Sequence, residues 1–100
     1  MSYDSGALHA ALAAAVGEDS ALIADLRIAF MESVERQVDL LKRARCDANW
    51  ELAAWRLKGL AASFGLNALM ALADEAAQAA PGDPRVIRRL EAVLDGLRQD

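Results

Sequence analysis

Apolar residues recur along most of this chain at steps of three and four, the period of a helix with one buried face. Four interruptions divide the pattern into five predicted helices. Asp4 or Ser5 is placed to cap a short first helix with Leu8, Leu12, Ala15 and Val16 as its apolar positions, and Gly17 ends it. Asp19 or Ser20 caps a long second helix carrying Leu22, Leu26, Phe30, Val34, Val38 and Leu41. On its wet side Glu32 with Arg36 and Asp39 with Arg43 stand one turn apart as ion pairs. Lys42, Arg43 and Arg45 give its end the charge that a helix C-terminus favours. Asp47 or Asn49 caps a third helix with the stripe Trp50, Ala54, Leu57, Ala61 and Phe64, interrupted at Gly65. The fourth presents Leu69, Leu72, Ala73, Ala76 and Ala80. Pro81-Gly82 makes the next turn, and Asp83-Pro84 starts a fifth helix that buries Val86 or Ile87, then Leu90, Leu94 and Leu97.

Short connections make neighbouring helices antiparallel. The expected fold is all-α: an antiparallel up-down-up-down four-helix bundle with the short first helix as a lid, one domain over residues 1–100. Composition agrees. Of the hydrophobic residues, 23 are alanine, and Val, Ile and Thr together number only eight, which leaves few strand formers. Eleven basic against fifteen acidic residues give a net charge of −4, so a nucleic-acid partner is not expected. One cysteine, Cys46, excludes an internal disulfide and suits a reducing compartment. The first residues lack the basic stretch of a signal peptide, and no apolar run reaches the ~20 residues of a bilayer span, so the expectation is a cytoplasmic protein with no membrane contact.

The third helix carries an anomaly. At ~100° per residue its apolar stripe points one way and Trp55 points well away from it. Leu52, Gly59 and Ala62 share the Trp55 side, flanked by Glu51 and Lys58. A mid-helix glycine costs roughly 1 kcal/mol relative to alanine, which makes sense where another molecule approaches the backbone. Exposed apolar clusters mark contact sites, and tryptophan is a favoured anchor. The plainer reading folds Trp55 back onto the first helix.

The run Trp55-Arg56-Leu57-Lys58-Gly59-Leu60-Ala61-Ala62-Ser63-Phe64-Gly65 resembles the His-x-Leu-Lys-Gly signature of histidine-phosphotransfer (HPt) domains, including the glycine that follows it. Leu69 and Leu72 fit the apolar positions after that glycine, and Phe30, Leu41 and the Gly82-Asp83 turn fit theirs, so the resemblance runs from about Leu22 to Leu97. It implies a helical bundle that relays phosphoryl groups between receiver domains of a two-component pathway. In such domains the lysine three positions after the histidine lies beside the phosphoryl group, and the next glycine gives the receiver room. Lys58 and Gly59 match those two positions. Trp55 stands where the histidine belongs, and indole has only an N–H donor to offer, with no basic lone pair. The resemblance therefore implies a pseudo-HPt module that binds a response-regulator receiver through Leu52, Trp55, Lys58, Gly59 and Ala62 and accepts no phosphate.

Other chemistry finds little support. His9, the only histidine, falls in the first helix outside the motif, and Cys46 reads as a half-buried loop thiol. No spacing suggests a metal site, a cofactor or a phosphate loop. Two further functions compete: a self-associating bundle that buries the Trp55 face in a homodimer, and an active phosphocarrier using His9 or another residue.

Overall fold

Five helices make up the described residues, 3–99, of the computed structural model: α1 (Tyr3–Val16), α2 (Ser20–Arg43), α3 (Asp47–Ser63), α4 (Asn67–Gln78) and α5 (Pro84–Gln99). The expectation about the first residues concerns in part Met1 and Ser2, which lie outside the described residues, as does Asp100. With 24 residues rising ~1.5 Å each, α2 runs most of the 42 Å long axis of the molecule. Helices α2 and α3 pack together, as do α3 and α4, and α4 and α5, and α5 also packs on α2. Helix α1 lies against α2, α4 and α5. The predicted stripes meet in the core, where Leu8, Leu12, Val34, Leu41, Trp50, Leu57, Leu69, Leu90 and Leu97 are fully buried. Ala15 and Ala80 are exposed instead, and so is Leu22. Leu22 lies two turns before Phe30, which already packs edge-on against Phe64 just past the end of α3 (ring centroids 4.6 Å apart), so α3 gives the first turns of α2 no cover.

The helix ends hold the corrections. Asp19 caps α2 as expected, accepting hydrogen bonds from the Ala21 and Leu22 N–H groups. Asp4 lies inside α1 and not before it. It is buried in the first turn of α1, and its two carboxylate oxygens accept from the N–H groups of Ala68 (3.1 Å) and Leu69 (2.8 Å). Those are orphan donors at the start of α4, whose own N-cap residue, Leu66, has no side-chain acceptor. Next to it, the Ser5 hydroxyl donates to the Gly96 carbonyl near the end of α5. The N-cap of α3 is Cys46, without a side-chain hydrogen bond, and Asp47 is already helical where its charge favours the N-terminus. Cys46 is exposed rather than half-buried.

Gly65 ends α3 with φ of +66°. The Leu66 N–H bonds the Ala61 carbonyl and the Gly65 N–H bonds that of Ala62, a Schellman pair that needs a left-handed residue between them. This tight reversal brings α4 back along α3, where the buried Trp50 indole N–H donates to the Ala76 carbonyl. Between α2 and α5, Lys42 pairs with Glu91 and Glu35 with Arg98. The hydrogen bond that the Lys42 ammonium donates to the Glu91 carboxylate holds it above its usual range. Asp39 and Arg43 form their expected pair at 2.9 Å, but Glu32 and Arg36 do not. No helix among the described residues is long and apolar enough to cross a membrane.

Candidate functional site

Helix α3 has two tryptophans on opposite sides. The positions of Trp50, Ala54, Leu57 and Ala61 cluster within one arc and are sealed between α2 and α4. Trp55 falls outside that arc and is 55% exposed. Leu52, one turn before it, is 49% exposed, and Gly59 and Ala62 continue the same surface strip. Trp55 does not lean on the first helix, because among the described residues α1 does not pack against α3. An apolar anchor, a leucine and a smooth glycine–alanine strip thus face outward together.

Gly59 has no internal reason to be glycine. A Cβ built there meets nothing within 4 Å, and its φ is not positive. The side chain missing at this position leaves the α3 backbone open from outside. The Ser63 hydroxyl, one turn on, donates to the Gly59 carbonyl at 2.9 Å.

Lys58 sits on the α4 side of the strip. Its Nζ is 2.8 Å from the Asp74 carboxylate and 5.2 Å from the centroid of the Trp55 ring. Each contact is worth about 1 kcal/mol or less at a wet surface. Together they fold the lysine along the Trp55 ring instead of leaving it free. Asp74 was not among the expected site residues; it lies on another helix, so no spacing along α3 points to it.

On the α2 side the strip borders an open groove lined by Ser33, Arg36, Gln37, Arg56, Gly59 and Leu60. A second groove nearer the start of α3 includes Leu40, Arg43, Leu52 and Arg56. Arg56 belongs to both. Of the eleven cationic side chains, Arg36, Arg45, Arg56 and Arg88 make no ion pair or hydrogen bond among the described residues. Three of those four belong to α2, α3 or the connection between them.

The strip itself offers an aromatic face, an indole N–H donor and cations, but no imidazole or thiol. His9 is exposed on α1, away from α3. Among the described residues no three His, Cys, Asp or Glu side chains gather to hold a metal ion. Compared with protein-family models, with curated proteins and with solved structures, the chain matches none.

Proposed function

We propose that this chain is a pseudo-HPt signalling module that docks a response-regulator receiver domain on the Trp55 strip and accepts no phosphate itself. The observation that carries the reading is the exposure of Trp55, Leu52, Gly59 and Ala62 as one strip of α3, with Gly59 open to approach. An HPt-like frame places α2 to α5 as an up-down-up-down bundle with α1 as lid. Supporting this arrangement, Trp50 near the start of α3 meets Ala76 near the end of α4, and Glu35 and Lys42 on α2 meet Arg98 and Glu91 on α5 in reverse order. Asp4 and Ser5 of α1 join the start of α4 to the end of α5, as a lid at one end would.

At the position where an HPt domain carries its histidine, the Trp55 indole gives a receiver a large contact surface and no acceptor for phosphate. Binding without transfer sequesters a receiver or shields it from its phosphodonor. A homodimer through the same strip fits less well, because a two-fold contact centred on Trp55 brings both copies of Arg56 into one interface.

The test is affinity measured singly against each purified receiver domain of the source organism. At least one binds the wild-type protein, and Trp55→Ala weakens it by about 2 kcal/mol or more. Equal affinity of wild type and variant removes the anchor, and transfer of an acid-labile phosphoryl group to the protein removes the non-catalytic reading.

A further inference from the structure

We infer that Arg36 and Arg56 form a second, electrostatic half of the docking surface, which recognises carboxylates on the partner protein beside the apolar patch that Trp55 engages. The inference rests on the docking reading and names the chemistry that reading leaves open.

Charge bookkeeping across the molecule carries it. The protein is net acidic, and seven of its eleven cations are spent within the chain, on a carboxylate or, for Arg27, on the Leu97 carbonyl. Lys58, the cation that the HPt resemblance would aim at a partner, is among those spent, held by Asp74 and Trp55. Arg36 and Arg56 are not. They line the groove that Gly59 leaves open, one from α2 and one from α3. Glu32 is placed one turn before Arg36 yet does not pair with it, so the guanidinium stays available.

Guanidinium groups suit this task, since each presents a planar fork of donors to a carboxylate. A protein surface is the fitting source of those carboxylates. Arg56 lines a second groove together with the exposed Leu52, and an overall charge of −4 disfavours a polyanion such as a nucleic acid. Opposite charges at the edge of an interface steer encounter and set specificity, and their effect falls with salt.

The experiment compares the wild-type protein with R36E/R56E and with Trp55→Ala against the purified receiver domains, at low and high sodium chloride. Circular dichroism checks that every variant is folded. Charge reversal is expected to weaken binding at least tenfold at low salt and to flatten the salt dependence, and R36Q/R56Q to fall between. Binding that is lost in Trp55→Ala but unchanged in R36E/R56E overturns the arginine inference and leaves the docking reading standing. Failure of every receiver to bind the wild-type protein overturns both. A labelled single-stranded oligonucleotide bound by wild type and released by R36E/R56E would assign the arginines to nucleic acid and overturn the inference as well.

Discussion

At the residue scale, two tryptophans five positions apart do opposite jobs, and the helical period separates them. Trp50 is fully buried with its N–H satisfied by the Ala76 carbonyl, whereas Trp55 stands more than half exposed. Replacing Trp50 with Phe leaves a small cavity and removes one of the two hydrogen bonds on the Ala76 carbonyl, which keeps that from the Ala79 N–H, and chemical denaturation should register a loss of about 1–3 kcal/mol. Trp55→Ala should change stability by less than about 1 kcal/mol, since the ring is more than half exposed and its cation–π contact with Lys58 is at the surface. Gly59 separates fold from function more sharply. With open space around a Cβ, Gly59→Ala should raise stability by roughly 0.5–1 kcal/mol. The same methyl group would stand on the docking strip and weaken partner binding, so a variant that is both more stable and a weaker binder is expected. The inside and outside of α3 were legible from periodicity alone. The state of Lys58 was not, because Asp74 reaches it from another helix and only tertiary packing puts them together.

At the scale of elements, helix existence and order were readable from the chain, and the caps less so. Asp19 and Asp83 cap locally, and local sequence reveals them. Asp4 looks like a local cap and serves a distant one, because the fold brings the start of α1 to the uncapped start of α4. Nothing in the spacing around Asp4 marks that partner. The link has a measurable consequence. Asp4→Ala should destabilise the protein by about 1 kcal/mol, within the range of lost N-caps. Amide exchange should quicken at Ala68 and Leu69, although these lie more than sixty residues away along the chain. If exchange instead quickens only within α1, the bridging role of Asp4 is wrong. The expected Glu32–Arg36 pair does not form, although Asp39–Arg43 at the same spacing does. A wet i,i+4 ion pair is worth only a few tenths of a kcal/mol, so spacing alone does not decide whether it forms.

At the scale of the whole molecule, Arg89 and Arg98 of α5 bind Glu75 of α4 and Glu35 of α2, while three of the four unpaired arginines lie on α2, α3 or the connection between them. That asymmetry could not be read from the net charge, which gives only the sum. It predicts a protein that stays monomeric in sedimentation at high micromolar concentration, because a two-fold contact through the Trp55 strip would set the unpaired Arg56 of one copy against that of the other. A salt-induced dimer would instead show that the arginines were all that kept two Trp55 strips apart. The two indoles also provide a direct reporter of docking. In an amide-correlated NMR spectrum, the Trp50 indole N–H should resist exchange and the Trp55 indole N–H should exchange freely. The most direct test follows this spectrum while each purified receiver domain is added. The docking reading predicts that one receiver shifts the Trp55 indole together with the amides of Leu52, Lys58, Gly59 and Ala62, and leaves the Trp50 indole in place. Shifts confined to α1 and α5, or no shift with any receiver, would contradict it.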